Sequence, residues 1–248
     1  MSSPEPAPRR LRRAEAVLLR RTSRVILVLE RPWHDENVQA VLRTAESFGV
    51  QHVWTIRHPD GRQRGTRSVT RGSDQWLSTR FFEDTAECIS ALRAEGCQLW
   101  ATDLDDAATE VTQPADLAPL PSRIALIMGR EVGGVSPELL AAADRRLYLP
   151  MQGFTESLNL SVAAALMLQR LFDADPSLRG SMQPEERAEL RAKWYERLAG
   201  HKEYKRAEFA AWLEHPPEPL DDTRTLAEFR QPRMTKKLRR KIEPGAGS

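Results

Sequence analysis

Apolar and polar positions alternate along this chain in blocks that read as strand, helix, strand. Residues 24–30 (Arg-Val-Ile-Leu-Val-Leu-Glu) form a short, β-branched apolar run, which predicts a strand buried on both faces. From Asp35 the spacing changes: Val38, Val41, Leu42, Ala45 and Phe48 recur at helical intervals, and Gly49 stands where a left-handed C-terminal residue ends a helix. A second strand is expected over 52–56. Asp84 and Glu87 have capping-box spacing and predict a helix to about Glu95. Strands are expected at 98–103, 123–128 and 146–149. Between the last two, Ser136-Pro137-Glu138 supplies a cap, an N1 proline and a first-turn acid for another helix. A helix over about 158–172 closes the pattern. Continuous apolar strands alternating with helices imply an α/β domain over about 24–174, with a mostly parallel sheet and helices on both faces. Residues 174–183 read as a linker. Helices are expected over 184–198 and 203–213, followed by a polar, basic tail from 216 to 248.

Charge changes the picture once it is divided along the chain. The whole 248-residue chain has a formal net charge of +2. Residues 1–24 hold seven Arg against Glu5 and Glu15, net +5, and residues 223–248 hold eight Lys or Arg against Glu228 and Glu243, net +6. The remaining 198 residues therefore carry −9. An acidic body between basic ends fits a polyanionic partner, although solvated basic tails have the same composition. Two cysteines, Cys88 and Cys97, exclude a disulfide scaffold and a four-cysteine metal site and fit a reducing, cytoplasmic setting. No apolar run approaches a membrane span, and the Arg-rich start lacks the apolar core of a secretory signal.

Common α/β chemistries are absent. No G-x-G-x-x-G follows a strand, and there is no P-loop, H-E-x-x-H or G-x-S-x-G. The histidines, His34, His52, His58, His201 and His215, are too scattered for metal ligation. Three segments remain. In Asn37-x5-Arg43-Thr44, Asn37 lies in the first turn of a helix, where free N–H groups favour an anion such as phosphate. Arg43 lies off the apolar stripe and is equally readable as a solvated partner of Glu46 at i+3. In Gly129-Arg-Glu131-Val-Gly-Gly134-Val-Ser136, a buried strand runs into glycines at the end where open α/β sheets bind ligands, or simply turns into a helix. In Pro150-Met151-Gln-Gly153-x3-Ser157-Leu158-Asn159-Leu-Ser161-Val-Ala, a cap explains one of the three polar residues but not all of them.

Together these segments resemble the three motifs of the SPOUT superfamily of methyltransferases, in its tRNA and rRNA ribose 2′-O-methyltransferase branch, over about residues 24–172. Gly72-Ser73-Asp-Gln-Trp76 and Ala101-Thr102-Asp-Leu resemble intervening family positions. The resemblance implies S-adenosyl-L-methionine as cofactor, held in a deep C-terminal trefoil knot, and a homodimer. It assigns cofactor contacts to Thr102, Gly129, Leu149, Met151 and Leu158, and a catalytic Arg to Arg43, surrounded by Asn37, Glu131, Ser157 and Asn159. A guanidinium stays protonated at any ordinary pH, so Arg43 is better read as a phosphate clamp that stabilises developing alkoxide than as a base. Arg57, Arg62, Arg64, Arg67 and Arg71 punctuate the loop after the second strand and fit an RNA-gripping arm. Only 23 residues precede the first strand, too few for the separate RNA-binding domain usual in ribosomal members. The basic N-terminal segment and helical C-terminal extension instead resemble the members that modify guanosine-18 of tRNA. An rRNA or other-position methyltransferase, and a catalytically silent RNA-binding protein, are the alternatives.

Overall fold

The computed structural model describes residues 7–58 and 74–223. In chain order its elements are helix α1 (Arg9–Leu18), strand β1 (Thr22–Glu30), α2 (Asp35–Phe48), β2 (Val50–Ile56), β3 (Ser78–Phe82), α3 (Thr85–Ala94), β4 (Gln98–Thr102), β5 (Thr109–Glu110), β6 (Ile124–Met128), α4 (Pro137–Ala142), β7 (Arg145–Tyr148), α5 (Leu160–Ala174), α6 (Pro184–Ala199) and α7 (Glu203–Ala210). The strands form one sheet in the order β3-β2-β1-β6-β4-β7-β5. Every pairing is parallel. All seven carboxyl ends therefore lie on one side.

The period-2 geometry of β1 sorts its side chains into two layers. Val25, Leu27 and Leu29 pack with Val41 and Leu42 of α2 and Ala164, Leu168 and Leu171 of α5. Ile26 and Val28 face the opposite layer, with Cys88 and Leu92 of α3 and Leu139 of α4. Burying both faces of the central strands is what made them legible as continuous apolar runs. The expected caps are present: Gly49 has φ 82° at the end of α2, and the Asp84 carboxylate accepts from the Glu87 N–H at 3.0 Å.

Three elements were not expected from the sequence: α1, β3 and the two-residue strand β5. In α1, Leu11, Ala14 and Leu18 dock on Leu190, Trp194 and Tyr195 of α6. Glu15, almost fully buried, accepts from Arg191 Nε and Nη2, both at 2.8 Å, and from the Tyr195 hydroxyl at 2.7 Å. Strand β3 is an edge strand in which only Phe82 is buried, so its sequence shows no apolar run. The expected linker is packed as well: Leu178 joins the α2–α5 core and Met182 the α1–α6 cluster. The backbone continues past α7 along α1, with Arg12 Nε donating to the Glu218 carbonyl at 3.0 Å. Among the described residues, no helix is long and apolar enough to cross a membrane.

Candidate active site

The carboxyl ends of β4, β6 and β7 open into a cavity of about 630 Å3. It lies between the β6–α4 loop, the β7–α5 loop and the first turns of α5. Thr102, Gly129, Leu149, Met151 and Leu158, the five positions expected to contact a cofactor, all line it, as do Glu131 and Ser157. One wall is apolar, with Leu140, Leu147 and Met167. Thr102 does not offer its hydroxyl hydrogen to the cavity, because Oγ1 donates to the Ile127 carbonyl at 3.2 Å. The loop itself also demands glycine at 129. A Cβ there would stand 2.3 Å from both the Gly134 carbonyl carbon and the Val135 nitrogen, so the loop's own backbone requires glycine.

At the loop's edge, residues separated by more than 90 positions form a hydrogen-bonded chain. Asn37 Nδ2, in the first turn of α2, donates to Glu131 Oε1 at 2.5 Å. Asn159 Nδ2 donates to Asn37 Oδ1 at 2.9 Å. Asn159 Oδ1 accepts from the Ser161 N–H at 2.9 Å and hydroxyl at 2.7 Å, capping α5. The Trp33 N–H donates to Glu131 Oε2 at 3.0 Å. Partial burial pushes the Glu131 carboxyl upward, but hydrogen bonds from Asn37 and Trp33 outweigh it and hold the group below its ordinary range. A carboxylate of the protein itself thus stands beside the first turn of α2.

Arg43 and Ser157 are not members of this chain. Arg43 is exposed on α2, and its guanidinium has no ion-pair partner among the described residues. The competing expectation, a pair with Glu46, fails: Glu46 Oε1 accepts from Arg21 Nη2 at 3.1 Å. Arg21 is fully buried and also donates to the Val50 carbonyl, a partner invisible in local spacing. Of the basic arm, Arg57 pairs with Glu83 at 2.6 Å and lies 4.7 Å above the Phe81 ring. Arg62, Arg64, Arg67 and Arg71 lie outside the described residues. Among the described residues no group of three or more His, Cys, Asp or Glu could hold a metal ion.

A larger cleft of about 850 Å3 opens at the amino ends of the strands, lined by Ser23, His52 and Glu186. Its partly enclosed charges are already paired, His52 with Glu186 at 2.7 Å and Arg123 with Glu95 at 2.6 Å. The opposite, carboxyl-end cavity is the one that gathers the motif residues.

Those motif residues lie within the span that matches a family model, that of the SpoU rRNA methylase family, over residues 24–169. The chain belongs to this family. Among its relatives, the tRNA (guanosine(18)-2′-O)-methyltransferase of Escherichia coli K12 is 33% identical over 161 residues, covering 65% of this chain and 68% of that protein. The crystal structure of the TrmH/SpoU tRNA modifying enzyme of A. aeolicus superposes with a TM-score of 0.65 at 25% identity, covering 75% of this chain and 94% of that one. An AdoMet-bound rRNA methyltransferase from Sinorhizobium meliloti gives a TM-score of 0.52 at 26% identity, covering 70% of this chain and 62% of that one.

Proposed function

We propose that this protein methylates a ribose 2′-hydroxyl of tRNA, at guanosine-18 of the D-loop, with S-adenosyl-L-methionine as methyl donor. The observation that carries the reading is that all three sequence motifs meet at one cavity mouth, where Glu131, Asn37 and Asn159 are hydrogen-bonded in series. The names of the relatives supply the substrate.

The cavity suits this cofactor. Its volume falls in the range of small-molecule sites, its apolar wall can take an adenine, and Asp103, Glu131 and Glu156 on the polar side favour a cationic ligand. Thr102, Leu149, Met151 and Leu158 would hold the cofactor. When bound, it supplies a methyl group on a sulfonium that departs as a neutral thioether.

The chain's own residues must then orient a weak nucleophile and manage its proton. Asn37 and Asn159 are fixed at both ends by hydrogen bonds, so their positions are set before RNA arrives. Glu131 is ionised and accepts from Asn37 and Trp33, which makes it an anchor for the β6–α4 loop rather than a free base. Arg43, exposed and unpaired among the described residues, is available to clamp a phosphate and to stabilise alkoxide charge as the hydroxyl attacks. Ser157, on the cavity rim, would contact the hydroxyl.

The reading extends to assembly and partners. A homodimer is supported by exposed apolar side chains on the site loops and α5, among them Val132, Phe154, Val162 and Leu166. A trefoil knot is supported by the strand order, in which β6 enters between β1 and β4 before the chain returns through β7 to pack α5 on α2. The N-terminal segment, the arm from Arg57 to Arg71, the helical extension over 184–215 and the basic tail would grip RNA in the cytoplasm. Transfer of labelled methyl groups from the cofactor to unmodified tRNA, followed by nucleoside mapping, tests the whole reading. Label at the ribose of guanosine-18 is the expected result. RNA binding without incorporation would favour a silent RNA-binding protein, and label in rRNA alone would move the substrate.

A further inference from the structure

The polar wall of the cavity contains one charged side chain that the mechanism leaves without a task. Glu131 is engaged by Asn37 and Trp33, and Asp103 faces Arg146 at 3.5 Å. Arg130 is different. Among the described residues lining the cavity it is the only base, beside three acids, Asp103, Glu131 and Glu156. Its guanidinium lies against the Gly133 backbone, close enough that a Cβ on Gly133 would stand 3.4 Å from Nη2 and 3.9 Å from Cζ. Its Nε is buried and has no hydrogen-bond partner among the described residues. A half-enclosed guanidinium carries a desolvation cost that an anionic ligand on its remaining N–H groups would relieve. The backbone beneath it is already fixed, since the Arg130 N–H donates to the Gly134 carbonyl at 3.1 Å.

We propose that Arg130 is the carboxylate-binding residue of this cavity, taking the α-carboxylate at the amino-acid end of S-adenosyl-L-methionine. The inference rests on the cofactor reading above and adds a specific contact to it. The argument is one of charge matching. The cofactor carries two cationic centres, a sulfonium and an ammonium, and one anionic centre. The cavity lining is net negative, with three carboxylates against a single guanidinium, which leaves that guanidinium as the one match for the third. A guanidinium also presents paired N–H groups that match a carboxylate's two oxygens. In the G-x-E motif, position 130 is the unspecified one, so the contact belongs to this chain's sequence rather than to the motif. An RNA phosphate is the competing anion. It is the poorer match, because Arg130 stands in the cavity lining beside the carboxylates that suit the cofactor's cationic centres.

Calorimetric binding to the full-length protein tests this without turnover, using S-adenosyl-L-methionine, its decarboxylated form and 5′-methylthioadenosine. The decarboxylated form keeps the sulfonium and the amine but lacks the carboxylate. Wild type should bind the parent about 10- to 100-fold more tightly than the decarboxylated form. Arg130→Met should lose that factor on the parent alone, with the other two ligands unchanged. Arg130→Lys, which keeps the charge but not the fork, should lose part of it and serves if the Met variant fails to fold. Equal losses on all three ligands would mean a packing role and overturn the proposal. So would a wild type that does not distinguish the two sulfonium ligands. Unchanged cofactor binding with weakened tRNA binding and a shallower salt dependence would reassign Arg130 to RNA. Failure of wild type to bind the parent cofactor at all would overturn the cofactor reading itself.

Discussion

Gly129→Ala should damage both the fold and the cavity, and the structure sets the size of the effect. The added Cβ would sit 2.3 Å from the Gly134 carbonyl carbon and the Val135 nitrogen, whereas ordinary contacts begin near 3.4 Å. The obstacle is backbone, so no side-chain rotation relieves it, and the 134–135 peptide must retreat by about 1 Å. Overpacking of this kind costs about 1–3 kcal/mol. The retreat also pulls against the Arg130 N–H···O=C Gly134 hydrogen bond, worth about 1 kcal/mol more. A total of about 2–4 kcal/mol corresponds to a fall in melting temperature of roughly 4–16 °C for a domain of this size. Urea or thermal unfolding gives the stability, and titration with cofactor gives the second reading. Because Gly134 and Val135 line the cavity, cofactor affinity should fall as well. A variant within about 0.5 kcal/mol of wild type, with unaltered affinity, would refute the assignment of Gly129 to the loop's close crossing.

Three further outcomes follow from other parts of the molecule. Arg43→Lys keeps the charge but not the guanidinium fork, so turnover should fall by about 100-fold or more while cofactor affinity stays near wild type; full activity would remove Arg43 from the site. Glu15→Ala leaves Arg191 and Tyr195 facing each other without their shared acceptor and should cost about 2–4 kcal/mol, read by urea unfolding and by faster proteolysis near α1. The Glu131 carboxyl is held below its ordinary range in the folded protein, so its contribution to stability is complete above the unfolded value near pH ~4.3 and is lost as pH falls through the folded one. The stability gap between wild type and Glu131→Gln should therefore be constant from neutral pH down to about 5 and shrink as the solution is acidified further; a gap that instead closes between about pH 6 and 8 would contradict the assignment.

What the sequence revealed followed from how locally each feature is specified. Strand β1 was readable because both its faces are buried, and α2 because one stripe of it is. Strand β3 was not readable, since an edge strand that buries only Phe82 carries no apolar run. Helix α1 had its signal in Leu11, Ala14 and Leu18, but seven arginines in the surrounding stretch made it look like a solvated segment. The site shows the same division. The motifs marked Asn37, Glu131 and Asn159, yet their contacts span 94 and 122 positions and have no local signature. The i+3 spacing of Arg43 and Glu46 pointed the wrong way for the same reason: a buried arginine 25 positions upstream takes the carboxylate first.

The docking of α1 on α6 sets a timetable for synthesis. Glu15 is made 176 residues before Arg191, which at elongation rates of about 5–20 residues per second is an interval of about 9–35 s. During that interval Leu11 and Leu18 have no surface to cover them, although the sheet can already assemble behind them. The nascent chain therefore carries an apolar-striped, arginine-rich segment whose docking partner is made late.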